Sequence, residues 1–443
     1  MIDRIQEFFR GKKILILGFG QEGKSTYGFL RQILPEQTLY IVDRRENLVD
    51  DDELKRDAKV VCQGGENYLD DLAQYEIIMK SPGISFKNVD IDRLKGRIWS
   101  QLEVLLKFFE GKTVGVTGTK GKSTTSSLIF QILQDQNIPS MLLGNIGVPV
   151  FDMIDEMKSE MILVLEMSSH QLEFMDVSPH IAVLLNVFPE HLDHYRSFEE
   201  YRKAKCNIFR YQDVDDVVLF GDEVRGLVVN APGQKWGVGE ESDDAVRRVK
   251  DEVWIDDTVV YDAKSERKLK GEYNLHNIMF ALGATKVLGL DMSQAARSVN
   301  EFETLKHRLE FVGEYDGIKY YDNSIGTVPA ATMAAVEALG DVDTLILGGM
   351  DRGLDYAEFE EALRKSKIRN VICMPETGWK IAEGLGGRAR KVETMEQAVR
   401  LAKTSTRVGR SCLLSPAAAS YGHFKNFEEK GDLFQELVRR KDL

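Results

Sequence analysis

No stretch of this 443-residue sequence stays apolar for the roughly 20 residues needed to cross a bilayer. Cysteine is scarce. Cys62, Cys206, Cys373 and Cys412 lie far apart, with neither a CxxC pair nor zinc-ligand spacing, so reduced thiols are expected. Positive charge is also in deficit: a formal charge of −13 works against a nucleic-acid partner, since phosphate backbones attract basic surfaces. No low-complexity linker occurs, and no repeat with a period of about 20–50 residues. The opening MIDRIQEFFRGKK is amphipathic and charged rather than a secretory leader, so a soluble, cytoplasmic protein is expected.

What the chain has is a βα alternation that starts three times. Runs such as KILILG, TLYIVD and YEIIMKSPG are apolar without alternation, the mark of strands covered on both faces and hence of a parallel sheet. A second series opens at Lys112 with TVGVTG and continues through MLLGN, MILVLEMSS and IAVLLNVF. The segment 219–273 breaks into short strands between acidic turns, suggesting a small antiparallel annex. A third series begins near His307 with GIKYYDNS, TLILGG, NVICMP and CLLSP. The expectation is an α/β chain of three domains, 1–95, 96–303 and 304–443. The first and third should be Rossmann-like and the second a P-loop ATPase domain, with ligands beyond the carboxyl ends of the strands.

Two glycine turns carry a GKST tetrad. In the first, Gly18, Gly20 and Gly23 fit G-x-G-x-x-G between a strand and a helix, and Asp43 closes the next strand. Such a turn lets backbone amides approach a diphosphate while the acid takes a ribose or base. The second, Gly118–Thr119–Lys120–Gly121–Lys122–Ser123–Thr124, has richer surroundings. Lys122 would reach the terminal phosphates, and the hydroxyl of Ser123 or Thr124 would ligate magnesium. Glu166, His191 and Lys205 fall at or just beyond strand ends on the same edge, a plausible magnesium cluster around polyphosphate. ATP is therefore assigned to 118–124, and the first loop to a nucleotide diphosphate that is recognised but not hydrolysed.

GTKGKSTT, LLGNIG, VLEMSSHQLE, NVFPEHLDHYRSFEEYRKAK, GEYNLHN, HRLE and LLSPAAAS occur in the order found in Mur ligases, which the chain resembles from end to end. Among them it is most similar to the members that add D-glutamate to UDP-N-acetylmuramoyl-L-alanine. The resemblance implies an ATP- and Mg2+-dependent ligase of peptidoglycan precursor synthesis, working through an acyl phosphate. Asp43 and the turn Ser81–Pro82–Gly83 would contact uridine, with Arg45 nearby and Gly20 in the phosphate turn. Asn145, Ser168 and Gln171 would hold the muramoyl-alanine part. Glu166 and the loop hydroxyl would take one magnesium, His191 and a carbamylated Lys205 the second. Asn274, Asn277 and Arg308 would line adenine and ribose, with either Asp322 or Asn323 on the ATP side. Thr327, Ser420 and Phe427 would meet the amino acid, and Arg352 stands where other members carry lysine. Closure of the third domain is expected before reaction, and a monomer with no nucleic-acid, membrane or protein partner.

The chain departs from that pattern in places. Glu22 stands where a small or hydroxyl residue usually faces the diphosphate, and Ile325 removes a possible cation for the amino acid. Asp322 and Asn323 exchange the family's amide and acid. The intact Lys122, Glu166, His191 and Lys205 argue against a nucleotide-sugar binder without ligase activity. Asp43 and the Ser81–Gly83 turn argue against a folate-directed relative.

Overall fold

A computed structural model describes residues 1–145, 149–190, 194–241, 243–269, 271–303, 306–327, 329–351, 356–420 and 424–440. His191 and Arg352, both expected at the site, lie outside this set. Among the described residues the strands form three sheets, and the chain divides into two compact units, Met1–Phe302 and Glu303–Leu443.

The first unit holds two sheets. In one, β1 (Ile14–Leu17), β2 (Leu39–Asp43), β3 (Val60–Gly64), β4 (Ile77–Lys80) and β5 (Ile98–Trp99) run parallel in the order β3-β2-β1-β4-β5. Every residue of β1 and β4 is buried, as their unbroken apolar text requires. The strand order reverses at β1, so the turn after β1 and the turn after β4 open into one crevice.

The second sheet has β6 (Thr113–Thr117), β7 (Ser140–Gly144), β8 (Ile162–Glu166), β9 (Ile181–Leu184), β10 (Val217–Gly221) and β11 (Gln234–Gly239) in parallel. β12 (Val246–Val249), parallel to β11, is followed by β13 (Glu252–Ile255) and β14 (Thr258–Asp262), which turn antiparallel. The antiparallel annex is thus narrower than the segment 219–273: VVLF is β10 and extends the parallel sheet. β6 lies between β8 and β9, with Val116 in register with Glu166 and Thr117 with Leu184. That register sets the ends of three strands side by side.

The two sheets share one apolar cluster, running from Ile5, Ile14 and Leu30 through Phe151 and Leu165 to Phe220 and Ala231. Polar groups cross it too. Gln101, at the start of the helix Gln101–Phe108, donates to Thr26 Oγ1 (2.9 Å), Ser25 Oγ (3.2 Å) and the Glu22 carbonyl (3.1 Å), and accepts from the Phe151 amide (3.1 Å). Burial of this kind requires every group to be bonded.

The second unit is built on β15 (Glu310–Tyr315) and β16 (Ile318–Asp322), an antiparallel pair, followed by parallel β17 (Val342–Gly349), β18 (Asn370–Glu376), β19 (Ala389–Lys391) and β20 (Ser411–Leu414), ordered β15-β16-β20-β17-β18-β19. All four cysteines are free thiols, three of them buried. Among the described residues no helix is long and apolar enough to cross a membrane.

One core group departs from the rule of paired burial. Glu103 is 2% exposed; its Oε1 accepts from the Asp176 amide at 3.1 Å, while Oε2 has no partner among the described residues. Burial pushes its carboxyl up to about 8. An acid raised above its unfolded value near 4.5 contributes full stability below that pH and loses it as pH climbs toward 8. Glu103→Gln keeps the acceptor and abolishes the ionisation. Urea melts should show it more stable than wild type at pH 8, by on the order of 1–3 kcal/mol, with a smaller difference at pH 4.5.

Candidate active site

The loop after β6 is braced from the strand beside it. The Thr119 amide donates to the Asn186 carbonyl (2.9 Å) and the Lys120 amide to Asn186 Oδ1 (2.9 Å), while Asn186 Nδ2 returns a bond to the Lys120 carbonyl (3.1 Å). Thr119 Oγ1 sits 2.9 Å from Tyr201 Oη and accepts from the Phe188 amide at 2.9 Å. Gly121 has φ +90°, and a Cβ there would lie 2.5 Å from Asn277 Oδ1 and 2.9 Å from Tyr273 Oη. Glycine is required on both counts. The helix Lys122–Asp135 starts at once, aiming its first amides back into the loop.

Two lysines bend into this loop. Lys122 Nζ donates to the carbonyls of Gly118 (2.9 Å) and Thr119 (3.1 Å). Lys205, from the helix Phe198–Arg210, is 1% exposed and donates to the same Gly118 carbonyl (2.8 Å) and to Thr117 Oγ1 (3.3 Å). Burial first, and then the charge of Lys122, drive the Lys205 amine well below its ordinary pKa. Ser123 is buried and Thr124 half-buried in the first helical turn.

Glu166 ends β8 beside the loop. Its Oε1 accepts from Asn145 Nδ2 at 2.9 Å; Oε2 is buried with no hydrogen-bond partner among the described residues. Gly144 (φ +104°) lets the chain pass so close to Glu166 that a Cβ would meet its carbonyl at 2.2 Å. An uncommitted carboxylate oxygen at the edge of a phosphate loop fits a hard divalent cation, and the residues present therefore suit magnesium. Asn277 accepts from Thr125 Oγ1 (3.3 Å) and donates to Asn274 Oδ1 (3.2 Å), so both asparagines lie on the loop's other flank.

On the first sheet, Gly18 takes φ +90°, with room for no Cβ against Ser81 at 3.0 Å, and Ser81 Oγ donates to the Gly18 carbonyl (3.1 Å). Gly20 and Gly83 are exposed and Pro82 half-buried, so the two turns face one crevice with open backbone. Asp43 accepts from the amides of Phe19 (2.6 Å) and Arg45 (2.9 Å) and from Arg45 Nε (3.0 Å). Burial alone would raise its pKa, but these donors together hold it below the usual range. Ser168 and Gln171 close a reciprocal cap on the short helix Ser169–Leu172.

In the second unit Asp322 is 0% exposed, bonded to His307 Nδ1 (2.8 Å), Gln435 Nε2 (3.0 Å) and the Ser324 amide (2.8 Å). Asn323 accepts from the Leu309 amide (3.2 Å) and donates to Ser415 Oγ (2.9 Å). Both therefore hold the turn around the half-buried Arg308, where His307 (φ +64°) and Leu309 (φ +50°) are left-handed. Ser420 is buried, its hydroxyl without a hydrogen-bond partner among the described residues, Phe427 opens the helix Phe427–Arg439, and Thr327 is half-buried. Beside Ser420, in a pocket shared with Gly348, Gly349 and Phe424, lies Lys430, which donates to the Gly348 carbonyl (2.9 Å). Burial lowers its amine to about 8. Sequence reasoning missed it, since a lysine in FEEKGD reads as a solvated helix residue.

Three family models match: the Mur ligase MurD-like N-terminal domain over residues 12–98, the Mur ligase middle domain over 116–285, and the Mur ligase glutamate ligase domain over 307–418. The chain is 32% identical to a UDP-N-acetylmuramoylalanine--D-glutamate ligase of Clostridium botulinum (strain Hall), covering 98% of each chain. Identity and coverage are the same, 32% and 98% of each chain, for the enzyme of that name from Clostridium kluyveri (strain ATCC 8527). In fold it is similar to the MurF ligase of Thermotoga maritima in complex with ADP, at TM-score 0.58 and 17% identity over 98% of this chain and 96% of that one. It is also similar to the UDP-N-acetylmuramate-alanine ligase MurC of the same organism, at TM-score 0.54 and 19% identity over 96% and 98%. With the loop, the acid beside it and both glycine turns in place, and with full-length identity of this order, the chain belongs to the Mur ligase family.

Proposed function

We propose that this ATP-dependent ligase joins the amine of D-glutamate to the carboxylate of UDP-N-acetylmuramoyl-L-alanine. The observation that carries the reading is the pairing, around one loop, of a Glu166 oxygen with no hydrogen-bond partner among the described residues and a Lys205 amine stripped of solvent. A nucleotide-sugar binder gains nothing from either. Division of labour by sheet follows: 1–95 for the uridine end, 96–303 for ATP, and 304–443 for the incoming amino acid.

In the reaction, an alanine carboxylate oxygen attacks the γ-phosphorus of ATP and the bond to ADP breaks, leaving an acyl phosphate. The neutral amine of the amino acid then attacks the acyl carbon, phosphate departs with the bonding pair, and the nitrogen loses a proton to give the amide. Lys122 would leave the Gly118 and Thr119 carbonyls to follow the transferred phosphoryl group, offsetting its charge in a site with little water. One magnesium would be held by Glu166 and Ser123 and a second by His191 and a carbamylated Lys205, and bound magnesium would supply Lewis-acid stabilisation of the phosphoryl oxygens. Lys205 suits carbamylation: a buried amine biased to its neutral form is a nucleophile for carbon dioxide, and the product is an anion. ATP and nucleotide-activated sugars are cytoplasmic compounds, so the reaction belongs in the cytoplasm.

Phosphate release, measured with ATP, magnesium and UDP-N-acetylmuramoyl-L-alanine across a panel of D- and L-amino acids, should depend on D-glutamate. Dependence on another amino acid would reassign the substrate, and no amino-acid dependence would remove the ligase reading. Lys205→Ala should lower the rate at least 100-fold and regain part of it with added short carboxylates; undiminished activity would exclude the carbamate. Gly121→Ala should weaken ATP binding at least tenfold by equilibrium titration, because its Cβ meets Asn277 and the loop must shift.

A further inference from the structure

A third buried ammonium lies away from the ATP loop. Lys80 is the last residue of β4, in register with Leu17, the residue before the first glycine turn. It leaves the sheet on the face of Ile78, and its Nζ is 5.6 Å from the ring centroids of both Phe86 and Phe174. The residue is 5% exposed, and Nζ has no hydrogen-bond partner among the described residues. The carboxylate that faces it, Glu173, stands 3.7 Å away, beyond hydrogen-bonding range, and the same oxygen lies 3.1 Å from His194 Nε2. The other charge acting on it is Glu22, in the first turn of the helix Gln21–Ile33.

A lysine kept only as a staple between packed elements would be expected to make the bonds that repay its burial, since a buried charge costs several kcal/mol unless hydrogen-bonded. Lys80 has the ion pair with Glu173 at 3.7 Å but no hydrogen bond at normal distance among the described residues, so its donors are left for a ligand. Its place indicates which ligand. Lys80 directly precedes Ser81; Glu22 comes two residues after Gly20; Glu173 comes two residues after Gln171. The ammonium is thus next in sequence to Ser81 and coupled electrostatically to Glu22 in the first turn of the helix Gln21–Ile33, whose N-terminal amides and dipole favour an anion. Glu22 spoils that position for phosphate, and it is ill at ease there itself: burial raises its carboxyl to about 7, with Lys80 pulling it down.

We propose that Lys80 is the cation that receives the diphosphate of the sugar nucleotide, supplying the contact that Glu22 takes away from the first glycine turn. On binding, a phosphate oxygen takes donors that Lys80 leaves unused, and Glu173 keeps its contact with His194. The proposal rests on the sugar-nucleotide reading above and adds to it the group that discriminates a diphosphate from a bare nucleoside.

Ligand-observed NMR on the full chain tests it with UDP and uridine as probes. Lys80→Met should weaken UDP at least tenfold and leave uridine within about twofold. Equal UDP affinity in K80M and wild type overturns the proposal, and so does a parallel loss of UDP and uridine, the mark of a purely structural lysine. If circular dichroism shows K80M unfolded, Lys80→Gln carries the same decision: weaker UDP with unchanged uridine supports the assignment, and unchanged UDP overturns it. Wild-type protein that binds uridine but gains nothing from the diphosphate sinks Lys80 alone. Wild-type protein that binds neither probe sinks the sugar-nucleotide reading and the proposal with it.

Discussion

Two lysine side chains donate to one carbonyl oxygen, that of Gly118, and the rest of the site follows from this crowding. Like charges so close, with one of them buried, cannot both persist as ordinary ammonium ions. Burial and the charge of Lys122 therefore bias Lys205 toward its neutral form, with the carboxylates of Glu190 and Glu166 pulling the other way. The loop is rigid enough to keep the lysines converged because Asn186 bonds both of its middle residues and Gly121 leaves no gap against Asn277.

Much of this arrangement was legible in the amino-acid text. Unbroken apolar runs give parallel strands, and functional residues written just after such runs must gather where the strands end. Lys122 and Glu166 could be grouped on that ground, and the register of Val116 with Glu166 is its structural expression; Lys205, expected at a strand end, instead reaches the loop from within the helix Phe198–Arg210. The direction of pairing was less legible. VVLF states that a strand exists but carries no mark of its neighbour, so the text alone places it in the annex, whereas β10 continues the main sheet.

The burial of Lys80 and Lys430 was not legible. Lys80 ends an apolar run next to a turn and Lys430 sits in the polar string FEEKGD, and nothing local separates either from a solvated lysine. Their burial is made by residues distant in sequence, such as Phe174 over Lys80. Asp322 and Asn323 show the same limit. Their order in the motif left two roles open, whereas the fold commits both side chains to fixing the turn around Arg308.

The apolar cluster that the first two sheets share has a consequence for how this chain comes apart. Two modules that bury the same side chains cannot melt independently, so Met1–Phe302 should behave as one cooperative body despite its two sheets and two glycine turns. A fragment ending after β5 would carry a bare greasy face and be prone to aggregate. During synthesis, the N-terminal sheet could close the face around Leu15, Leu17 and Phe86 but would have to wait for the second sheet to emerge before its shared face could close.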